Sequence, residues 1–399
     1  MPYPFSDPYR ATVLGTPAKA RYLFENPVRP DVRAIRIENR QVPDVFSYSR
    51  DMFFTTALQD HPAPLMFVIA GTGAEHNSAK MAFLTQVFFE AGYHVAALSS
   101  PTHMNFIISA SEHRVPGYVP YDVADLDRIM GWVREELVKD CEITGYSISG
   151  YSLGALHAAF LARQDADTHE FDFKHVLMIN PPVSLISSVT RLDSWLTPES
   201  LGRSTVHREI QGFIDRFSDY YLHAEVTDLD DDFMYDMITD IHLDERDLKT
   251  LIAAAFRVSS ASMIFSSDVC LQAEYLVPPG HYPLKTSTPL LPYAQQAFDI
   301  PFEGYLDEFL LPYLRYNDPT ITRAGVTWRC SLESIRDWLQ NADKVTVVGT
   351  KDDVILNPQD VNFLETVFHE RAHLFEHGGH CGNMMHPAFV RMIKEMVKL

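Results

Sequence analysis

Four short segments hold side chains whose types and spacing could carry out acyl transfer. Gly150-Tyr151-Ser152-Leu153-Gly154 is the one G-x-S-x-G run in the chain. A serine hydroxyl is a weak nucleophile unless it stands on a strained turn beside a base, and small residues two positions either side allow that turn from strand into helix. An apolar run precedes it and an Ala- and Leu-rich run follows. Ala70-Gly71-Thr72-Gly73 ends another apolar run. Acyl transfer needs two backbone N–H groups aimed at the developing oxyanion. Leu153, next after the serine, supplies one by position, and the loop at 71–73 supplies the other, through Thr72. The segment VVGTKDDVILNP (347–358) places adjacent carboxylates, Asp352 and Asp353, beyond a late apolar run, where a base finds its orienting acid. The segment EHGGHCGN (376–383) presents His380 in a glycine-flanked loop, with His377 and His386 as its nearest competitors.

These groups need elements to hold them. DVRAIRI (31–37) and DMFFTTAL (51–58) have the pattern of early strands, after an N-terminal arm rich in Pro and aromatics. From 64 onward short apolar runs alternate with helical spacing: strand 64–71, helix 79–93, strand 94–100, helix 122–140, strand 142–148, helix 153–163, strand 175–184. The rhythm stops between 186 and 330, where helical segments and Pro-rich loops dominate. It resumes with helix 331–342, strand 344–349, helix 358–370, strand 371–377 and helix 387–399. Such alternation predicts an α/β fold: a mostly parallel sheet flanked by helices on both faces. The expected domains are a core of 1–185 and 331–399 (1–60 being the arm and first strands) and an inserted helical cap over 186–330.

The order Ser, Asp, His, each at the C-terminal end of a successive strand, resembles the α/β-hydrolase superfamily over about 60–185 and 331–399. The resemblance implies Ser152 as nucleophile, His380 as general base and an acid three residues after the strand-ending Gly349, which is Asp352. Asp353 is then left to solvent or a turn hydrogen bond. It further implies an acyl-enzyme released by water, with Thr72 and Leu153 as oxyanion donors. The oxyanion loop departs from the family's commoner His-Gly start by having Ala70-Gly71. The expected activity is hydrolysis of a carboxylic ester with a small-molecule acyl substrate and no cofactor or metal. A thioesterase, amidase or acyltransferase would use the same residues.

Two rivals are readable in the same sequence. His369-Glu370-Arg371-Ala372-His373 matches the H-E-x-x-H zinc-peptidase pattern, but the predicted helix ends inside it, so the two histidines diverge. The acidic stretch 224–250 holds ten Asp or Glu, and Asp228–Asp232 suggests a calcium loop. Phe233 stands where that loop needs glycine, and a solvated helix face fits better. Met234, Met237, Ile238 and Ile241 are expected as an apolar stripe roofing the site. A non-catalytic hydrolase-like binding module is the remaining alternative.

The formal charge of −20 argues against a nucleic-acid partner, which needs a basic face. Cys141, Cys270, Cys330 and Cys381 are scattered with no C-x-x-C pair, so free thiols are expected. No apolar stretch is expected to span a bilayer, and no export signal is apparent in MPYPFSDPYRATVLGTP. A cytoplasmic location is the expectation, with export or the periplasm as the alternative.

Overall fold

The computed structural model describes residues 2–197, 208, 212 and 243–399. The apolar runs fold into eight strands: β1 (Asp31–Ile35), β2 (Met52–Ala57), β3 (Ala63–Ile69), β4 (His94–Leu98), β5 (Ile143–Tyr151), β6 (Val176–Ile179), β7 (Val345–Thr350) and β8 (Ala372–Phe375). They form one sheet in the order β1-β2-β4-β3-β5-β6-β7-β8. Only β2 runs antiparallel to its neighbours, β1 and β4. This is the α/β-hydrolase fold.

The central strands are predominantly apolar because both faces are covered, and β3 and β6 are wholly so. Leu65, Phe67 and Ile69 of β3 face one helical layer, with α4 (Val119–Leu137) and α5 (Leu153–Thr168) packed against them. Met66 and Val68 face the other, where α2 (Ala79–Glu90) lies. The closing helix, Pro387–Met396, covers that second face with Phe389, Val390 and Ile393.

Between β6 and β7 the described residues are helical or irregular. They include α6 (Leu185–Asp193) and α7 (Glu245–Leu271), followed by shorter helices such as Leu291–Phe298 and Arg323–Arg329. Ser184 and Ser331 form an isolated antiparallel bridge, so the chain leaves and rejoins the sheet region at adjacent points. A buried ion pair joins α6 to α7, with Arg257 Nη2 2.7 Å from Asp193 Oδ1. Asp193 Oδ2 also accepts the Phe302 N–H at 2.7 Å.

One helix bears on the expectation that no apolar stretch spans a bilayer. Helix α7, with 27 residues, is long and apolar enough by length and composition, and half of its apolar window is buried within the protein. Its buried side chains, among them Phe256, Ala261, Met263 and Ile264, pack into the core and against neighbouring helices, α6 and Leu291–Phe298 included. The Asp228–Asp232 run and the stripe Met234, Met237, Ile238 and Ile241 lie outside the described residues. All four cysteines are free thiols.

Candidate active site

Strand β5 runs directly into Ser152, three residues further than the sequence pattern suggests. Ser152 has φ 54° and ψ −126°, a strained conformation for a residue with a side chain. The turn is possible because its flanking glycines leave no room for a Cβ. One added at Gly150 would overlap the Gly154 carbonyl, and one at Gly154 would overlap the Ile69 carbonyl. The hydroxyl therefore stands at the carboxyl edge of the sheet, at the N-terminus of the 16-residue α5.

His380 is delivered by the loop after β8. Its Nε2 lies 2.9 Å from Ser152 Oγ. Its Nδ1 lies 2.9 and 3.0 Å from the two carboxylate oxygens of Asp353. The acid against the imidazole is thus Asp353 and not Asp352, which corrects the sequence expectation by one residue. The reason is strand register: Thr350 still belongs to β7, and the Lys351 N–H still bonds the Phe375 carbonyl, so the loop opens one residue later than a count from Gly349 suggests.

Asp352 faces the other way and accepts the N–H groups of Gly378 at 3.2 Å and Gly379 at 2.9 Å. It fixes the loop that carries His380. Asp353 is almost wholly buried, and the Asn180 amide (2.9 Å) and the Ile355 N–H (3.1 Å) both donate to it. Burial by itself would lower the His380 pKa. The Asp353 charge and hydrogen bond, helped by neighbouring Cys381, overcome that and raise it above the ordinary histidine value.

A segment far away in sequence also grips this loop. Helix α1 (Pro8–Leu14) places Thr12 so that its Oγ1 accepts the His380 N–H at 2.9 Å while donating to the Pro8 carbonyl at 2.7 Å. Thr16 Oγ1 donates to the Gly382 carbonyl at 2.8 Å. No periodicity marks Thr12 or Thr16 for this task.

The loop at 71–73, expected to supply an oxyanion donor, follows β3. The N–H groups of Gly73 and His76 donate to Thr102 Oγ1 at 2.7 Å and Ser99 Oγ at 2.9 Å, and that of Ala74 donates to the Gly71 carbonyl. Thr102 Oγ1 is in turn 2.8 Å from Ser100 Oγ. Among the described residues the N–H groups of Thr72 and Leu153 donate to nothing. Both residues line the same cavity as Ser152 and His380. Leu153 is the first residue of α5, whose dipole favours negative charge there. Two free donors in the cavity that holds the Ser152 hydroxyl can stabilise an oxyanion.

The cavity measures about 260 Å³. Its far wall is apolar and comes from α6 and α7, through Leu185, Val189, Leu192, Ile252 and Phe256. A narrow continuation of about 10 Å³ runs past Thr72 and Leu153 to Met263 and Phe302.

The competing histidines sit elsewhere. His377 is largely exposed, with Nδ1 3.5 Å from Asp352, and His386 caps the closing helix. His369 terminates the helix Pro358–Phe368 with φ 49°, whereas His373 lies in β8. The H-E-x-x-H segment therefore does not put its two histidines on one helical face.

The chain matches no protein-family model and no curated protein. Among solved structures it is similar to the thioesterase domain from the curacin biosynthetic pathway, at 10% identity over 92% of this chain and 99% of that one, with a TM-score of 0.41. It is similar to a bacterial membrane phospholipase A at 12% identity over 92% and 86%, with a TM-score of 0.45. Est1E from Butyrivibrio proteoclasticus is similar at 11% identity over 92% and 96%, with a TM-score of 0.39. Likenesses of this size leave the activity open, and the fold rests on the strand order itself.

Proposed function

We propose that the chain is a serine hydrolase that cleaves carboxylic esters through an acyl-enzyme. The observation that carries this reading is the continuous hydrogen-bonded line from Ser152 Oγ through His380 to Asp353, at 2.9 Å on each side of the imidazole, at the edge of an apolar cavity. Ser152 Oγ attacks the acyl carbon while His380 Nε2 takes its proton. Electron density moves onto the carbonyl oxygen, which the Thr72 and Leu153 N–H groups receive. The carbon–oxygen bond to the alcohol then breaks, and His380 returns the proton to the departing oxygen. Water repeats the sequence in reverse and frees the acid. Asp353 holds Nδ1–H, so that Nε2 keeps its lone pair toward Ser152 and the imidazolium has a counter-charge.

In this reading residues 186–330 form a cap whose helices α6 and α7 supply the acyl wall. A thioester, amide or alternative acyl acceptor would use the same line of residues. The test is a fluorophosphonate label followed by mapping of the modified residue, beside turnover of a chromogenic ester. Ser152 should be labelled, and Ser152→Ala should lose roughly 10³-fold or more in kcat while unfolding like the parent. Labelling of a different serine, or full activity in the variant, overturns the reading.

A further inference from the structure

Lys80 is the only permanently charged side chain among the described residues that line the cavity. It sits in the first turn of α2, just beyond the oxyanion loop, and is partly buried. Its Nζ lies 5.7 Å from the centre of the Tyr151 ring, the residue before the nucleophile. Other cations withdrawn from water are matched: Arg257, Arg128 and Lys394 hold the carboxylates of Asp193, Asp125 and Glu90, and Arg40 and Arg371 hold backbone carbonyls. Lys80 has no such partner among the described residues. A cation withdrawn from water beside apolar walls is unfavourable unless something of opposite charge meets it. The ring face of Tyr151 offsets part of that cost but supplies no counter-charge. In a chain of net charge −20, a lone cation beside the nucleophile also sets which ligands the site accepts.

The two ends of the cavity differ. The narrow continuation past Thr72 and Leu153 toward Met263 and Phe302 is apolar and includes neither His380 nor Lys80. At about 10 Å³ it has room for no more than one water, so an acyl chain lies instead along the apolar wall of the main cavity that Leu185, Val189, Leu192, Ile252 and Phe256 supply. His380 and Lys80 line the wider portion, and His380 is the group that returns a proton to the departing oxygen. An acyl chain laid on the α6 and α7 wall leaves the part lined by His380 and Lys80 to the leaving group.

We propose that the substrate joins an apolar acyl group to an alcohol or thiol that carries an anion, a carboxylate or phosphate, with Lys80 as its counter-ion. This rests on the serine-hydrolase reading above. The test compares two esters with the same butanoyl group, one of 4-hydroxybenzoate (anionic) and one of methyl 4-hydroxybenzoate (neutral). The ratio of their kcat/KM values is measured in the parent and in Lys80→Met, so that the intrinsic reactivity of the two phenols cancels. The ratio should fall in the variant by about fivefold against the anionic ester, the effect of a half-exposed ion pair. Lys80→Glu should lower it further, and added salt should reduce it in the parent alone. Labelling of Ser152 should persist and the urea-unfolding midpoint should match the parent's, which reports that the variant is folded. A ratio within twofold of the parent's in Lys80→Met, with turnover and labelling intact, overturns the proposal. Absence of turnover on both esters with Ser152 unlabelled in the parent would instead overturn the hydrolase reading and this proposal with it.

Discussion

Replacing Asp353 by Asn tests which of two adjacent carboxylates the imidazole depends on. Asp353 receives three donors in the folded protein: His380 Nδ1, the Asn180 amide and the Ile355 N–H. An amide in its place puts an NH2 group where one oxygen was. Asn180 can accommodate this by turning its own carboxamide, since its Oδ1 is buried without a partner. The hydrogen bonds can thus be remade, and what is lost is the negative charge. At roughly 4 Å between charge centres and an effective dielectric near 20, that charge is worth about 4 kcal/mol to the imidazolium formed in the transition state. This corresponds to about 10³-fold in kcat. If the wrong tautomer is also favoured, the loss approaches the roughly 10⁴-fold reported for the equivalent change in a related triad. The assay is kcat on a chromogenic ester from pH 5 to 10 for the parent, Asp353→Asn and Asp352→Asn. The base must be neutral to act, and its pKa is raised, so the parent's acid limb should lie above the ordinary histidine value of about 6.5. In Asp353→Asn the limb should move down. Stability carries the opposite sign: the pair's contribution is complete below about pH 6.5 and fades as pH rises through the raised pKa. A loss under tenfold in Asp353→Asn, or a larger loss in Asp352→Asn, would refute the assignment.

Two further changes probe the scaffold. Thr102→Val removes the acceptor of the Gly73 N–H and should loosen the oxyanion loop; displacement by about 1 Å costs on the order of 10²-fold, so kcat should fall by tenfold to a hundredfold with KM nearly unchanged. Thr102→Ser should restore it, and equal losses in Val and Ser would reject the hydroxyl as the cause. Arg257→Met leaves Asp193 buried without its cation and should cost about 3–5 kcal/mol in urea unfolding; a change below 1 kcal/mol would mean that the α6–α7 contact is held by apolar packing alone.

The sequence makes the alternation of strands and helices plain, because strands covered on both faces are predominantly apolar and their helices show one apolar stripe. The turn at Ser152 is equally legible, since only glycine fits at Gly150 and Gly154. Asp353 is harder to read. Choosing it over Asp352 depends on β7 pairing with β8 through Lys351, and the length of a ladder is decided by the partner strand rather than by local composition. Thr12, Thr102, Asn180 and Lys80 carry no local signature, because each acquires its contact through chain segments that lie far away in sequence. The long apolar character of α7 is ambiguous for a related reason: a helix packed among other helices and a helix in lipid need similar side chains.

The grip of α1 on the His380 loop has a consequence for how the molecule is made. Thr12 and His380 are separated by 368 positions, yet the hydroxyl of one receives the backbone N–H of the other. During synthesis the Ser152 turn, the oxyanion loop and the residues of α1 all emerge long before the loop they serve. A nascent chain can therefore carry a formed nucleophile turn while lacking any base. Under the proposed function, reactivity then arrives only when the loop after β8 has been laid down and α1 closes over it.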